Sequence, residues 1–420
     1  MLKDKNSSLS KLSDSLWIYK LLESGNKTIQ KRKKDWVGGG FAFRVGQTLY
    51  ILLKNVRNSL RRKSRELAQI PNGSVLYYCN SQNTYKVLNP LHNHLPGVFF
   101  WQTNQLTKQE NKGGITHNFT FPLFWSIQAI FAFISFNLFH WNKGWKYPNL
   151  FFENYGKLEE NIILLKKIKP RGVVFANDHN VQNRLFLHAC KELEIKTFYL
   201  QHATVTTNFP PLAFTKSFLF GEKDKLTYES VGPSLGEVEL TGPITFQHLF
   251  EIKKQGNNEG SIIGISVNLI DDLSEVTKVV REILKKTVLR IIIRQHPRDN
   301  RSLDLKDDRL IIEPASKFEL LDYFSKINFH IAGDSSIHLE ASYVGITSFY
   351  HKMSGDTASG DRFAFVKEGM INEYKIDHLT NVNDFSNFVE LKHFLFSVGE
   401  PWESNVSHHI ASSIKVILEK

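Results

Sequence analysis

The chain has 420 residues, of which 41% are hydrophobic and 23% charged. This composition is that of an ordinary globular protein and excludes a largely disordered one. A single hydrophobic core rarely supports such a length, so two domains are expected. The formal net charge of +11 suits nucleic acid, anionic lipid or a phosphorylated substrate, with a solubilising charge excess as the alternative. The only two cysteines, Cys79 and Cys190, are too few to staple the fold and indicate a reducing compartment.

The first 150 residues contain two features that suggest a membrane surface. Basic clusters occur at 31–34 and 61–65, and the stretch 121–141 (FPLFWSIQAIFAFISFNLFHW) has no Asp, Glu, Lys or Arg. Basic residues beside an aromatic, apolar helix favour peripheral contact with an anionic membrane. A transmembrane helix and a helix buried in a domain core are the alternatives. The polar N-terminus lacks the apolar region of a secretory signal, so the expected location is the cytoplasmic side of the inner membrane.

From residue 74 onward, short β-rich runs alternate with helical patterns, which predicts parallel sheets covered by helices. In the first half the predicted strands are 74–79, 172–176, 196–200 and 217–220, with a helix at 181–193. Residues 251–260 are polar and lack a hydrophobic period, so they predict a linker. In the second half the predicted strands are 261–267, 289–294, 310–312, 328–332 and 346–350, and the helices are 272–286, 317–324, 336–343 and a C-terminal one from 406 onward. We therefore expect two Rossmann-like, doubly wound domains, 1–250 and 261–420.

Polar residues follow five of these strands, where a doubly wound sheet places its ligand. They are Asn177, Asp178, His179 and Asn180; Gln201 and His202; Asn268; Gln295, His296, Pro297, Arg298 and Asp299; and Gly333, Asp334, Ser335 and Ser336. Asp and Asn are common turn and cap residues, so one such loop means little. Five loops that converge on one crevice predict a binding site there.

Two of the loops have features suited to phosphate. His296 precedes Pro297, which holds it in extended backbone, and Arg294 and Arg298 flank the pair. Ser335 or Ser336 opens a predicted helix and is a natural N-cap, with Glu340 able to complete a capping box. Hydroxyls and free N–H groups at a helix start also bind phosphate. A solvated basic loop and plain helix capping are the structural alternatives.

The His296-Pro297 pair followed by Ser335-Ser336 resembles the donor site of bacterial GT-B enzymes. These include capsular sialyl-, polysialyl- and Kdo-transferases and the CDP-glycerol glycerophosphotransferases. The resemblance implies a GT-B fold in which the N-terminal domain binds the acceptor and the C-terminal domain the nucleotide donor. It also implies that His296, Ser335 and Ser336 hold the phosphates and ribose of a CMP or CDP donor. Gln201-His202 resembles the QHG or WHG stretch of related enzymes, although Ala203 replaces the glycine.

An inverting transfer requires a base for the acceptor hydroxyl and positive groups for the leaving phosphate. Asp178 resembles the acidic base of the sialyltransferases by position, and His202 resembles the histidine base of the glycerophosphotransferases. Capping of the helix ahead of Val181 is the structural alternative for Asp178, and a hydrogen-bonded structural histidine is that for His202. His296, Ser335, Ser336 and Arg294 would neutralise the leaving nucleotide. Asp334, Glu340, Asn268 and Pro297 complete the expected donor site.

The expected function is a metal-independent glycosyltransferase that uses a nucleotide-activated sugar, with a CMP-linked sugar acid favoured. Its expected acceptor is a glycan or glycolipid of a capsule or lipopolysaccharide. We expect no cofactor, and no metal, since HExxH and DxD-like spacings are lacking; Asp271-Asp272 is interpreted as a helix cap. Polyol-phosphate transfer from CDP-glycerol or CDP-ribitol, a non-catalytic nucleotide-sugar-binding protein and a sugar-nucleotide epimerase are alternatives. Nucleic acid is not an expected partner, because no reader fold or basic-aromatic strand is recognisable.

Overall fold

The computed structural model describes residues 70–101, 114–116, 148–207, 209–249, 262–296, 299–314, 319–353, 363–379 and 402–420, with short pieces within 42–53, 130–134, 316–317 and 360–361. In this part of the chain the strands form two separate sheets, of seven and six strands. Every strand pairing in both sheets is parallel.

The first sheet has the order β3-β2-β1-β4-β5-β6-β7. Its strands are β1 (Val75–Cys79), β2 (Val98–Trp101), β3 (Ile115–Thr116), β4 (Gly172–Phe175), β5 (Lys196–Leu200), β6 (Lys216–Leu219) and β7 (Glu237–Leu240). Its helices are α1 (Gln82–His92), α2 (Pro148–Ile168), α3 (Val181–Glu192) and α4 (Glu222–Val231), followed by a 3-10 turn at Ile244–Leu249. The strand order reverses between β1 and β4, and such a reversal opens a crevice at the carboxyl ends.

The second sheet repeats this plan with the order β10-β9-β8-β11-β12-β13. Its strands are β8 (Ile262–Val267), β9 (Arg290–Gln295), β10 (Leu310–Pro314), β11 (Phe329–Ala332), β12 (Thr347–Tyr350) and β13 (Asn372–Glu373). Its helices are α5 (Leu273–Lys286), α6 (Leu320–Lys326) and α7 (Ile337–Tyr343), with a 3-10 turn at Ile376–Leu379. Here the order reverses between β8 and β11.

Central strands are apolar throughout because helices cover both faces of each sheet. In β4 all four residues are buried, and in β8 five of six are. Helix α5 follows the amphipathic pattern: Val276, Val279, Val280 and Ile283 are buried on one side. The packing of helices on both faces of each sheet therefore follows from short apolar strands and from helices with one apolar face.

The last helix, α8 (Trp402–Glu419), leaves the second sheet and packs against the first. Val406, Ile410 and Ile414 lie in one core cluster with Val174 and Phe198 of the first sheet. The helical backbone is interrupted at Asn405, so its regular part begins at 406 as the sequence indicates.

A second connection joins the carboxyl edges of the two sheets. Lys223, at the start of α4 behind β6, donates to the carbonyl of Phe363 at 2.9 Å and pairs with Glu368 at 2.8 Å. Its ammonium also lies 5.1 Å from the centre of the Phe365 ring. The segment 363–368 follows β12, so this buried lysine brings the two candidate crevices to the same side of the molecule.

Most of the membrane-related features lie outside the described residues, including both basic clusters and nearly all of 121–141. Within that stretch Ile130, Phe131 and Ile134 are exposed, whereas Phe133 is buried and its ring lies 5.2 Å from that of Phe151. None of the described helices is both long enough and apolar enough to cross a bilayer.

Candidate functional site

The residues that follow β4 and β5 form one polar cluster in the first sheet. These two strands pair directly, so the loops after them start side by side. The rings of His179 and His202 lie nearly parallel with 5.9 Å between their centres, and Phe209 lies 4.4 Å from His179 on ring centres. The sequence predicts Asp178 and His202 separately, and the structure links them through His179, which contacts both.

Asp178 is buried and accepts two contacts from neighbours. The Tyr228 hydroxyl donates to its Oδ2 at 2.7 Å, and Nδ1 of His179 lies 3.2 Å from its Oδ1. The helix that follows is capped by Asn180, whose side chain accepts from the Asn183 backbone at 2.9 Å. The alternative interpretation of Asp178 as that helix's N-cap is therefore wrong.

His202 lies mostly out of contact with water. Burial lowers its pKa to about 4, the neighbouring His179 lowers it further, and Asp178 acts in the opposite direction. Its Nδ1 is buried without a hydrogen-bond partner among the described residues. The imidazole is accordingly neutral at physiological pH and keeps one ring nitrogen unsatisfied, which is unusual for a buried polar atom.

Gln201 fixes the loop that carries His202. Its side-chain oxygen accepts from the Phe220 backbone at 2.8 Å, and its side-chain nitrogen donates to the Ala203 carbonyl at 3.0 Å. One amide thereby ties the ends of β5 and β6 together. In the Gln201-His202 pair, Gln201 therefore holds the loop that carries His202.

In the second sheet the predicted donor residues meet at the ends of β9, β8 and β11. The backbone N–H of His296 donates to the Val267 carbonyl at 2.9 Å, and the side chain of Asn268 donates to the Asp334 carbonyl at 3.3 Å. These contacts join three neighbouring strand ends at the point where the strand order reverses. Pro297 and Arg298 lie outside the described residues.

The turn after β8 is braced by Asp271 and by Arg301, the second of which the sequence does not single out. Asp271 accepts from the Asn268 backbone at 2.7 Å, and Arg301 donates to the carbonyls of Asp271 at 2.7 Å and Asn268 at 2.9 Å. Burial raises the pKa of Asp271 to about 6, the Asn268 hydrogen bond opposes this, and Asp334 adds to it. Asp272 caps α5, since its side chain accepts from the Ser274 backbone N–H at 2.8 Å. The capping interpretation therefore holds for Asp272 and not for Asp271.

Of the two serines predicted as caps of α7, Ser335 makes a cap-like hydrogen bond at the start of the helix and Ser336 does not. Ser336 occupies the cap position with helical backbone, φ −68° and ψ −12°, and makes no cap hydrogen bond through its side chain. Ser335 Oγ lies at 3.4 Å from the Ile337 backbone nitrogen, a long contact. The predicted capping box with Glu340 is wrong, because a capping box needs its Glu three positions after the cap, and Leu339 occupies that position after Ser336.

Arg294 of β9 and Glu340 of α7 interact electrostatically. Burial raises the pKa of Glu340 to about 7, and the guanidinium of Arg294 opposes that rise. The Arg294 guanidinium also lies 5.9 Å from the centre of the Tyr323 ring. Arg294 is thus drawn towards α6 and α7 beside Glu340, rather than into an open basic loop.

A buried chain of hydrogen bonds supports the turn that begins at Gly333. His338 Nε2 lies 3.0 Å from the Gly333 carbonyl, and its Nδ1 lies 2.6 Å from Ser348 Oγ. His330 extends this chain, because its Nδ1 lies 2.8 Å from Ser348 Oγ and its Nε2 lies 2.9 Å from Ser266 Oγ. Sequence reasoning missed both histidines, although their placement on a strand and a helix beside the candidate serines is a usable signal. Within the described part of the chain, no group of three or more His, Cys, Asp or Glu side chains is arranged to hold a metal ion.

Comparison with known proteins identifies the architecture. A UDP-N-acetylglucosamine 2-epimerase superposes with a TM-score of 0.53 at 12% identity, covering 83% of this chain and 97% of its own. The UDP-GlcNAc 2-epimerase of Neisseria meningitidis, bound to UDP-GlcNAc, gives 0.50 at 12% identity, with 82% and 100% covered. The wall teichoic acid polymerase TagF gives 0.49 at 11% identity, with 89% and 98% covered. No protein-family model and no curated protein matches the chain. The two epimerase superpositions establish a GT-B fold, as the sequence predicts.

Proposed function

We propose that this protein is an inverting, metal-independent glycosyltransferase with a nucleotide-activated sugar as donor. The favoured donor is a CMP-linked sugar acid such as Kdo or sialic acid, and the product is a bacterial surface polysaccharide or lipid-linked glycan. The observation that carries the proposal is the meeting of Asn268, His296 and Asp334 at the strand reversal of the second sheet. This is the place where doubly wound sheets bind nucleotides.

In the proposed donor site His296 contacts the phosphates, because its backbone is anchored to the end of β8 and is kept extended by Pro297. Ser335 and Ser336 offer hydroxyls at the neighbouring turn, and the lack of a cap bond at Ser336 leaves its hydroxyl for a ligand. Arg294 contributes positive charge to the leaving nucleotide, and Glu340, Asn268 and Asp334 accept or donate to ribose and base. Such groups act by stabilising charge that develops in the transition state.

The acceptor is placed on the first sheet, at the cluster that contains Asp178 and His202. A base here removes the proton of the attacking hydroxyl. Asp178 is buried in this cluster, and the ring of His202 is neutral because burial lowers its pKa to about 4.

Polyol-phosphate transfer from CDP-glycerol or CDP-ribitol is the second candidate. The unsatisfied Nδ1 of His202 favours it, because the related glycerophosphotransferase motif uses the histidine at this position as base. The two candidates share a cytidine nucleotide and differ in the bond they form, glycosidic or phosphodiester. A non-catalytic nucleotide-sugar-binding protein would share the nucleotide site and form neither bond.

A thermal-shift panel with CMP, CDP, UDP, GDP and dTDP tests the proposed donor. At one hundred times its dissociation constant a ligand stabilises the native state by about 2.7 kcal/mol, so CMP or CDP is expected to raise the melting temperature by several degrees. Stabilisation by UDP or dTDP alone would contradict the cytidine preference. No shift with any of the five would contradict a nucleotide-dependent function.

We also propose that the protein binds an anionic membrane surface through its basic clusters and the 121–141 stretch. The exposed side chains of Ile130, Phe131 and Ile134 support this. Flotation with phosphatidylglycerol vesicles at low salt should carry the protein upward, and with phosphatidylcholine vesicles or at high salt it should not, because salt screens surface charge. Equal binding in all arms would contradict a role for the basic clusters, and no binding in any arm would assign the apolar stretch to the core instead.

A further inference from the structure

The side chain of Asp178 is too deeply enclosed to contact an acceptor. Its side chain is 0% exposed, whereas that of the adjacent His179 is 31% exposed. Both carboxylate oxygens already have a neighbour, Tyr228 on one and His179 on the other. A carboxylate enclosed in this way cannot contact the hydroxyl of a bound acceptor, but it can orient the histidine that does.

The hydrogen-bond roles depend on what each group is able to donate. Burial holds the pKa of Tyr228 well above its ordinary value, so its hydroxyl keeps its proton and donates to Asp178. If the second oxygen of Asp178 also accepts, the hydrogen of its contact with His179 must come from Nδ1 of that ring. The lone pair then lies on Nε2, on the far side of the ring from the carboxylate.

The surroundings keep this ring in place. Phe209 packs on it with 4.4 Å between ring centres, and His202 stacks nearly parallel at 5.9 Å. The titratable groups that face the pair are His202 after β5, Tyr228 from α4 and, through a 3.2 Å hydroxyl contact with Tyr228, Tyr199 from β5. Because the pKa of His202 is lowered to about 4, that neighbour is uncharged and does not repel a proton taken up by His179.

We propose that His179 is the catalytic base of the transfer and that Asp178 is a positioning residue acting through it; this rests on the proposed transferase function. Nε2 of His179 takes the proton of the acceptor hydroxyl while that oxygen forms a bond to the reacting carbon of the donor. The bond from this carbon to the donor phosphate oxygen breaks, and its electron pair leaves with the nucleotide. The imidazolium that results is stabilised by Asp178, which is itself held by Tyr228.

Nitrogen NMR of ¹⁵N-histidine-labelled protein tests the arrangement without any substrate. The ring signals that disappear in His179→Gln are expected to show a protonated Nδ1 and an unprotonated Nε2 in the wild type. In Asp178→Asn the same ring should shift towards the Nε2–H form, because the amide no longer requires a donor. A wild-type ring protonated at Nε2, or a tautomer unchanged by Asp178→Asn, would overturn the proposal.

Turnover provides the second arm, with release of CMP from CMP-sialic acid as the probe and water as the acceptor. His179→Ala should lower kcat by ~10²–10⁴-fold with KM little changed, the range for loss of a general base, and added imidazole should restore part of it. Asp178→Asn should also lower kcat and move the acid limb of its pH profile to lower pH, since the imidazolium loses its countercharge. His94→Gln is the matched control, because His94 follows α1 and its ring contacts His408 of α8.

The two arms separate the possible failures. A wild type that turns over the donor, with His179→Ala within tenfold of it and unaffected by imidazole, would overturn the assignment of the base and leave the transferase function standing. A wild type that turns over no activated donor would count against the transferase function, and the NMR arm would still decide the pairing of His179 with Asp178.

Discussion

His296→Ala is expected to weaken nucleotide binding about tenfold and to lower turnover by ~10²–10³-fold, the loss expected on removal of one donor to a developing charge. The ring is positioned by its own backbone: its N–H donates to Val267, and its carbonyl accepts from Asp299 at 2.8 Å. Alanine keeps both backbone contacts, so the strand end should keep its shape while the imidazole is lost. Isothermal titration with CMP and single-turnover kinetics measure the two effects separately.

His409→Ala is the matched control for this change. His409 lies on α8, is exposed and contacts Glu239 of β7, far along the chain from the donor residues. Its loss should leave nucleotide affinity and turnover within a factor of about two of the wild type, because it touches none of the proposed donor residues. If His296→Ala behaves like this control, His296 belongs to a solvated surface loop and the donor site lies elsewhere.

His338→Leu is expected to destabilise the second domain by about 2–4 kcal/mol at pH 7.5, because it removes two buried hydrogen bonds and leaves the Gly333 carbonyl without its side-chain donor. The Gly333 carbonyl loses its donor at 3.0 Å, and the Ser348 hydroxyl loses an acceptor at 2.6 Å. The turn that begins at Gly333 carries Asp334, Ser335 and Ser336, so nucleotide binding should weaken as well. Urea unfolding followed by fluorescence gives the change in stability.

The same histidine predicts a pH dependence with a definite sign. Burial lowers the pKa of His338 in the folded protein to about 4, whereas an unfolded histidine titrates near 6.5. The unfolded chain therefore binds the proton first, and stability is present above pH ~6.5 and lost as the pH falls towards 4, by about 3 kcal/mol. The stability of His338→Leu should fall less steeply over this window. Equal slopes in both proteins, with equal stability at pH 7.5, would show that the chain of buried hydrogen bonds does not support the turn.

The strands of the fold were predictable where short apolar runs coincide with buried central positions. The strand Lys196–Leu200 agrees with its prediction to the residue, and β4, β8 and β11 each differ from theirs by one residue at one end. The strand Glu237–Leu240 was missed because two of its four residues are glutamates at the sheet's edge, where only partial burial is required. Helix α2 was missed because it comes after the uncharged aromatic stretch without a recognisable cap.

The candidate site was predictable as a set of loops but not as a set of contacts. Pairing of β4 with β5 places His179 against His202, and α4 supplies Tyr228 from 50 residues further along the chain. Neither relation is visible in the local sequence, so Asp178 was expected to act directly as a base. The serines before α7 were also predictable only in part. The S-S-x-x-x-E pattern suggests a capping box, but Ser336 has helical backbone angles and makes no cap hydrogen bond through its side chain.

We propose above that this chain transfers a sugar from a cytidine-activated donor, and transfer from a sugar-labelled CMP-sugar acid tests that proposal most directly. Wild-type protein and bacterial membrane glycolipid are incubated without added metal in separate reactions with labelled CMP-sialic acid, CMP-Kdo or CDP-glycerol. The product of each reaction is analysed for label and linkage. We expect label joined to the glycolipid through a glycosidic bond, with CMP released in equal amount, and product formation lowered by ~10²–10³-fold in His296→Ala. Label that stays with the nucleotide, or label transfer only from CDP-glycerol through a phosphodiester, would contradict it.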